Sequence, residues 1–449
     1  MFKKRKQVPE IEVGIITSRE ITFSLEGNYD NSSGVIIPSG KWVAKRDGPK
    51  ITISNNGLRF DLDSGIVLYP QSTDNQSFTV HSVTIGINFH WQRDEDQVFT
   101  GKLKLISEGE NLTLINILSL EEYLESVISS EMKATASPDL LKAHAVISRS
   151  WLIAQIEKRK SPDTISGKFN PSTMTENEIV RWYDREDHKE YDVCADDHCQ
   201  RYQGITRATT SDVKKVISET FGEVMIYEGN ICDTRYSKCC GGVSELFENV
   251  WEPVHHHYLQ RVEDCSFPVY GDYPDLTLEE NVRKWISGSP EAFCNTTDKS
   301  ILSQVLNDYD QETNDFYRWK VTYTQDELSN LIKVRTGIDF GTILNLVPIE
   351  RGVSARIIRL KIEGTLKTMI IGKELEIRKA LSKSHLYSSC FIVEKTGTDK
   401  NISFTLHGAG WGHGVGLCQI GAAVMGAEGF SYREILSHYF RGAELVKMY

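Results

Sequence analysis

The spacing of apolar residues changes near residue 119, and this change constrains the fold more than any other feature of the sequence. Before it, apolar and polar residues alternate in short runs, as in residues 51–54 and 58–62 on either side of Asn55-Asn56-Gly57. Such alternation around an Asn-Gly pair is typical of a β-hairpin. After it, apolar residues recur at intervals of three and four, which indicates an amphipathic helix. We therefore predict an α+β protein that is rich in strands.

The length of 449 residues predicts about two or three domains. We expect an N-terminal all-β region at residues 1–98 and a core in two parts at residues 99–261 and 385–449. A mixed α/β insert at residues 262–384 would form the other wall of a cleft.

Helix starts are indicated where a capping residue precedes an apolar stripe. The first part of the core should carry a helix pair, with one helix capped by Ser119 and the next by Ser137, which precedes a proline. Further helices are predicted to begin after Thr277 and Thr324 in the insert and after Ser431 near the C-terminus.

The charge balance excludes some classes of partner. Lys and Arg total 51 and Asp and Glu total 62, which gives a net charge of -11. Nucleic acids and anionic lipids need a basic face, so they are not the expected partners. No run of 18 apolar residues exists, so we expect no transmembrane helix. Residues 1–6 are basic, as at the start of a signal peptide, but no continuous apolar segment follows. Either the protein acts inside the cell or its export signal is absent from this sequence.

Glu131 is an unusual residue for its position. It falls three helical turns after Leu120, close to the apolar stripe that also carries Leu124 and Val127. A carboxylate on such a stripe is costly unless it is paired or neutral, and a neutral carboxyl group can act as a general acid. The alternative is that the helix frays at Ser129-Ser130 and that Glu131 lies at an exposed end.

Four potential metal ligands lie within twelve residues: His188, Cys194, His198 and Cys199. Zinc favours tetrahedral sets of two Cys and two His, so this cluster predicts a zinc site. Four filled positions would make a closed structural site, whereas an open position would admit a metal-bound water. The alternatives are a disulfide between the two cysteines or a polar loop with two idle thiols.

Two glycine-rich segments, residues 239–242 and 408–416, indicate backbone that makes close contacts or adopts positive φ. Neither has the Gly-Lys-Ser/Thr ending of a phosphate loop. Trp411 and His413 between glycines could form a lip that binds a sugar or a peptide, since aromatic faces pack well against sugar rings. Tight packing of turns under the last helix is the alternative. A Cys-His hydrolase built on Cys418 and His413 is a weaker hypothesis.

Four ordered motifs support a more specific interpretation, and they lie at residues 120–132, 141–150, 236–251 and 410–439. Together they resemble the stage II sporulation protein D (SpoIID)/LytB family, from about Phe99 to the C-terminus. Two departures stand out. The family pattern Ser-Thr-Ser-Gly-Gly is Lys-Cys-Cys-Gly-Gly at residues 238–242, after Ser237, and a recognisable signal peptide is absent. The segment Gly-Leu-Cys-Gln at residues 416–419 resembles the family's Gly-Met-Ser-Gln.

The resemblance implies a function in the cell envelope. SpoIID members are lytic transglycosylases that cut peptidoglycan glycan strands, preferably those stripped of stem peptides, and their catalytic acid falls on Glu131. Some members bind zinc through the ligands that correspond to His188, Cys194, His198 and Cys199. The LytB members are enhancers of a cell-wall amidase. The motifs imply substrate contacts at six positions: Ser237, Gly241, Gly242, Trp411, His413 and Gln419.

Overall fold

The computed structural model describes residues 4–31, 33–48, 50–72, 76–86, 92–133, 136–160, 172–182, 188–196, 199–206, 210–266, 274–305, 315–398 and 401–449. Helices and strands are mixed along the chain and the strands form several separate sheets, which confirms the predicted α+β class. Within these ranges, no helix combines the length and the apolar content needed to cross a bilayer.

The chain before the first helix is built of strands, as the alternating pattern predicts. The hairpin around Asn55-Asn56-Gly57 is confirmed, because the strands on either side of it pair in antiparallel register. The strands are β1 (Glu10–Ser18), β2 (Glu20–Glu26), β3 (Tyr29–Asn31), β4 (Ile36–Ile37), β5 (Gly40–Asp47), β6 (Lys50–Ser54), β7 (Arg59–Asp63), β8 (Ile66–Pro70), β9 (Ser77–Ile85), β10 (Arg93–Phe99), β11 (Lys102–Glu108) and β12 (Asn111–Ser119).

These strands form two sheets, and one of them extends into the core. A six-stranded sheet has the order β10-β9-β2-β5-β6-β7. In the other sheet, β1 pairs with β12 from Glu10 opposite Ser119 to Ser18 opposite Leu112. Strands on both sides of residue 98 therefore share one sheet, and they share one apolar core with the helices that follow.

The first helices begin where their capping residues predict. Ser119 and Glu122 form a complete capping box, and Ser137 Oγ accepts a hydrogen bond from the Leu140 N–H at 3.3 Å. The elements in this part are α1 (Leu120–Glu131), α2 (Pro138–Lys160), β13 (Ser172–Met174), β14 (Glu178–Arg181), β15 (Val193–Cys194), α3 (Ser211–Glu219), β16 (Glu223–Tyr227), β17 (Asn230–Ile231) and β18 (Tyr236–Ser237).

The next part builds a second apolar core, which includes residues on both sides of residue 384. Thr324 forms the predicted capping box. The helix predicted after Thr277 is present, but Thr277 does not cap it. That helix begins at Glu279, and the Thr277 hydroxyl donates to Asp275 instead. The elements are α4 (Glu279–Ser287), α5 (Lys299–Val305), β19 (Arg318–Thr324), α6 (Gln325–Thr336), β20 (Ile343–Arg351), β21 (Ile357–Gly364), β22 (Thr368–Gly372), α7 (Glu374–Ala380), β23 (Phe391–Thr396) and β24 (Ser403–Ala409).

The C-terminal segment returns to the first core and places the two glycine-rich segments side by side. It contains β25 (Leu417–Cys418), α8 (Gln419–Ala427), α9 (Tyr432–Tyr439) and β26 (Glu444–Lys447). Ser431 forms the predicted capping box of α9. β18 pairs in parallel with β25, with Ser237 opposite Cys418.

Candidate functional site

Glu131 is the last residue of α1, and its side chain is half-buried. The helix does not fray before it, since the Met132 N–H still donates to the Ile128 carbonyl at 3.0 Å. Glu131 Oε1 accepts a hydrogen bond from the Arg201 N–H at 3.1 Å. A distant segment of the chain therefore orients the carboxyl group.

The segment that holds Glu131 is itself packed firmly against α1. Tyr202 is buried, and its ring stacks on Tyr123 with a centroid distance of 5.2 Å. The Gln203 N–H donates to Ser126 Oγ at 3.1 Å. Gly204 has a φ of +57°, and a Cβ there would lie 2.2 Å from the Val98 carbonyl oxygen. This glycine lets the segment turn tightly between the helix and the N-terminal strands.

Three of the four predicted zinc ligands come together. One ligand atom each of His188, Cys194 and Cys199 lies within 4.8 Å of the other two. The Cys199 Sγ to His188 Nε2 distance is 3.5 Å, close to the separation of about 3.6 Å that a tetrahedral zinc ion imposes on a sulfur and a nitrogen ligand. The residues present therefore fit a zinc ion. His198 lies outside the described residues, so its role stays a prediction.

Two elements of the core, β1 and α2, hold the loop that carries the metal-ligand cluster of His188, Cys194 and Cys199. β15 pairs in parallel with β1, with Cys194 opposite Gly14. Arg159, at the end of α2, donates to Asp192 Oδ1 at 2.6 Å and to the His188 carbonyl at 3.1 Å. The cluster thus lies in a loop whose backbone is held on both sides.

The two glycine-rich segments contact each other through their backbones. Cys239 and Trp411 exchange two backbone hydrogen bonds, of 3.0 and 2.8 Å. Gly241 and Gly410 both have positive φ, and a Cβ on Gly410 would lie 2.8 Å from the Cys239 carbonyl oxygen. A Cβ on Gly242 would lie 2.7 Å from the Trp285 ring. Close backbone packing therefore explains these glycines.

Half-buried aromatic side chains surround this contact. Trp411 stacks on Phe316 at a centroid distance of 4.6 Å and also contacts Tyr387. His413 meets Trp251 edge-on at 4.5 Å, and its Nδ1 accepts the Val415 N–H at 3.0 Å. Burial, followed by the nearby Arg235, lowers the pKa of His413 well below its usual value. The imidazole is therefore neutral. The aromatic side chains offer a surface for a sugar ring, and His413 packs against one of them, Trp251.

Two other predicted contact residues are buried. The Ser237 hydroxyl has no hydrogen-bond partner within the described ranges. Gln419 is 2% exposed, and its amide nitrogen lies 3.2 Å from His144 Nε2. The amide donates and the imidazole accepts, so the His144 proton resides on Nδ1, which donates to Ser148 Oγ at 3.2 Å.

His144 is part of a buried polar network that the sequence patterns did not single out. Gln200 accepts from the Tyr123 hydroxyl at 3.3 Å and donates to the Ser148 carbonyl at 3.4 Å. The Ser148–His144–Gln419 hydrogen bonds then continue to the start of α8. The network joins the segment that orients Glu131 to the start of α8, which follows the second glycine-rich segment.

Replacing His144 by Gln should make folding less sensitive to acid. Burial lowers the pKa of His144 from 6.5 to about 3, so between these values the unfolded chain binds a proton that the folded protein does not. Stability is then lost as the pH falls below about 6.5. From pH 7 to pH 5, the wild type should lose about 2 kcal/mol more unfolding free energy than His144→Gln. Urea denaturation at both pH values measures this difference.

The matched control for that experiment is His255→Gln, which changes an imidazole with 49% of its side chain exposed. It should keep the acid sensitivity of the wild type. Equal acid sensitivity of His144→Gln and the wild type would contradict the assignment of a buried neutral His144.

A helix end connects Glu131 to the glycine-rich segments. The Lys133 N–H donates to the Gln304 carbonyl at 2.9 Å, and Lys238 Nζ donates to the next carbonyl, that of Val305, at 2.6 Å. The C-terminal end of α5 therefore lies between the end of α1 and the end of β18.

A cavity of about 300 Å³ lies beside α1. Glu122, Glu125 and Lys214 line it together with residues of the N-terminal strands, and Glu131 does not. Burial raises the pKa of Glu125. This carboxyl group provides a matched control for Glu131 on the same helix.

Two parts of the chain match the models of known protein families. Residues 108–227 match the model of the stage II sporulation protein family, SpoIID. Residues 245–416 match a domain of unknown function, DUF8618.

Similar proteins come from several bacteria. An uncharacterized protein of Brachyspira hyodysenteriae is 24% identical over 78% of this chain and 72% of its own length. An amidase enhancer of Bacillus subtilis is 25% identical over 72% of this chain, which spans only 40% of that relative. A stage II sporulation protein D of Bacillus amyloliquefaciens is 22% identical over 73% of this chain and 74% of its own length.

Proposed function

Because this chain carries the SpoIID domain of the SpoIID/LytB family, we propose that it is a lytic transglycosylase acting on peptidoglycan. It would cleave the glycan strand between N-acetylmuramic acid and N-acetylglucosamine and leave 1,6-anhydro ends. The observation that carries the proposal is the half-buried carboxyl group of Glu131, which ends α1 and is oriented by the Arg201 N–H. Strands without stem peptides are the expected substrate.

A single carboxyl group is sufficient for this reaction. Most glycosidases use two carboxylates, one of which activates water or attacks the sugar. Here the C6 hydroxyl of N-acetylmuramic acid is the nucleophile, and it is already attached to the sugar that reacts. Intramolecular attack has the proximity advantage without a second protein group.

The proton follows a closed path through Glu131. The carboxylic acid protonates the glycosidic oxygen as the C1–O bond breaks, and the resulting carboxylate takes the proton from the C6 hydroxyl as the C6–O–C1 bond forms. Glu131 is thus regenerated in its acid form. The Arg201 N–H donates to Oε1, which leaves Oε2 to carry the proton.

The residues His188, Cys194, Cys199 and, as the sequence predicts, His198 would hold a zinc ion. Bound zinc would act structurally by closing the loop from residue 188 to residue 199. Arg201 follows Cys199 by two residues, so the loop that the ion stabilises also positions the N–H that orients Glu131.

Replacing Cys199 by Ala should remove about one equivalent of zinc from the protein purified without chelator. Only His188, Cys194 and the predicted ligand His198 would remain, and a closed structural site needs four protein ligands. Elemental analysis of the variant beside the wild type measures the difference, and Cys232→Ala, a buried thiol outside this cluster, is the control. Equal zinc in Cys199→Ala and the wild type would contradict the site.

A second candidate function is enhancement of a cell-wall amidase, which the name of the Bacillus subtilis relative favours. The half-buried aromatic side chains Trp251, Trp411 and Tyr387 would then bind glycan or the amidase itself. In this case the protein itself does not cleave glycan, and its stimulation of the amidase should survive Glu131→Gln.

Both functions are related to the cell wall, so we propose that the protein acts in the cell envelope. The direct test is incubation of the purified protein with peptide-free glycan strands, followed by mass spectrometry of the ends. 1,6-Anhydro ends support the transglycosylase. Unchanged strands together with stimulated amidase activity would favour the enhancer instead.

A further inference from the structure

Four buried side chains from distant parts of the chain converge at one point, and Glu131 is not among them. They are Cys240, Asp264, Cys294 and Cys418, and one sulfur or carboxylate oxygen of each lies within 4.8 Å of the other three. Each of the four residues is 3% exposed or less. We call them the buried Cys/Asp cluster.

The distances in this cluster fit ligands of one ion. The Sγ atoms of Cys240 and Cys294 are 3.7 Å apart, whereas a disulfide needs about 2.05 Å. Two thiolates on a tetrahedral zinc ion are separated by about 3.8 Å. The geometry is thus that of two ligands and not of a covalent pair.

Neighbouring groups donate hydrogen bonds to the members of the cluster, as is usual for side chains that bind a metal ion. Cys418 Sγ accepts the N–H groups of Cys240 at 3.2 Å and Gly421 at 3.4 Å. Asp264 accepts the Cys294 N–H at 2.9 Å and the Tyr439 hydroxyl at 2.6 Å. These donors orient the sulfur and the carboxylate and offset part of their negative charge.

Gly421 shows how closely the surroundings are fitted. A Cβ at this position would lie 2.4 Å from Asp264 Oδ1 and 2.4 Å from the Tyr439 hydroxyl. The first turn of α8 therefore approaches the carboxylate directly, and a side chain there would displace it.

The sequence supports a shared role for two members. Cys240 and Cys418 each stand where the family motif has serine. The structure brings both replacements to the same point, with the Cys240 N–H on Cys418 Sγ. A thiol in place of a hydroxyl at both positions creates soft ligands that favour zinc over magnesium or calcium.

We propose that Cys240, Asp264, Cys294 and Cys418 bind a second zinc ion, separate from the metal-ligand cluster near Glu131. Three thiolates and one carboxylate complete a tetrahedral set, so the site is closed and structural. It ties the loops after β18 and α4 to the end of β25, where α8 begins. The ion thus holds the first glycine-rich segment beside the chain that follows the second.

The test is the zinc content of protein purified anaerobically without chelator, measured by native mass spectrometry. Cys294→Ala and Asp264→Asn should each contain about one zinc ion fewer than the wild type. Cys390→Ala, a buried thiol outside both clusters, should keep the wild-type content. Equal content in the wild type and in both cluster variants would overturn the proposal, as would a Cys240–Cys294 disulfide in the native protein.

A second measurement leaves the buried Cys/Asp cluster intact. It therefore tests the second metal site even where Cys294→Ala and Asp264→Asn fail to fold. The Cys194→Ala/Cys199→Ala protein, loaded with cobalt in place of zinc, should retain the absorption of tetrahedral cobalt bound to thiolates. Loss of all cobalt absorption in that folded protein would contradict the second site.

Discussion

Replacing Glu131 by Gln is expected to lower the rate of glycan cleavage by about 10²–10⁴-fold, the usual contribution of a general acid–base residue. Gln keeps the size of the side chain and can still accept the Arg201 N–H through its amide oxygen. It cannot donate a proton to the glycosidic oxygen. The loss should therefore appear in the chemical step, and the binding of peptide-free strands should be almost unchanged.

Glu125→Gln is the matched control, because Glu125 lies on the same helix and faces the cavity beside α1. It should keep the wild-type cleavage rate. If Glu131→Gln released anhydro ends as fast as Glu125→Gln and the wild type, Glu131 would not be the catalytic acid. Single-turnover assays with defined strands separate the chemical step from binding.

Replacing Arg149 by Met should destabilise the fold by about 3–5 kcal/mol, because it leaves a buried carboxylate without its partner. Arg149 is fully buried and forms two hydrogen bonds with Glu121, at 2.9 and 2.7 Å. Its third donor reaches the Glu223 carbonyl at 3.0 Å, and the Tyr449 hydroxyl also donates to Glu121. The pair thus ties α1 and α2 to β16 and to the C-terminus.

Chemical denaturation of Arg149→Met beside Arg19→Met measures this effect. Arg19 pairs with Glu110 on the surface, where both side chains are about 80% exposed, and such pairs contribute less than about 1 kcal/mol. An Arg149 variant as stable as the Arg19 variant would show that the buried pair does not hold the helices together.

The sequence predicts helix starts well where side chain and backbone act locally. Ser119, Thr324 and Ser431 all form complete capping boxes. Thr277 does not, because its hydroxyl donates a hydrogen bond to Asp275 and the helix begins at Glu279. Competition between neighbouring polar groups is hard to read from spacing alone.

The spacing of apolar residues alone could not predict that strands before and after residue 98 share one sheet. β1 pairs with β12, which lies about a hundred residues later in the chain. Long-range pairing is a property of the folded chain, which local patterns do not encode.

The candidate site was predictable in parts. Spacing brings His188, Cys194 and Cys199 together because they lie within twelve residues. The orientation of Glu131 by Arg201 and the contact of Gln419 with His144 join residues that are far apart in sequence. The sequence gives one indication of the buried Cys/Asp cluster, because Cys240 and Cys418 each stand where the family motifs have serine. The two positions are far apart in the sequence, so the motifs alone do not show that these thiols meet.

Cleavage of peptide-free glycan strands in oxygen-18 water by the wild-type protein tests the central claim most directly. If the C6 hydroxyl is the nucleophile and Glu131 the only carboxyl group needed, the new ends contain no oxygen-18 and are lighter than a reducing end by one water. Incorporation of oxygen-18 at the new ends would show that water attacks the sugar, and would contradict this account.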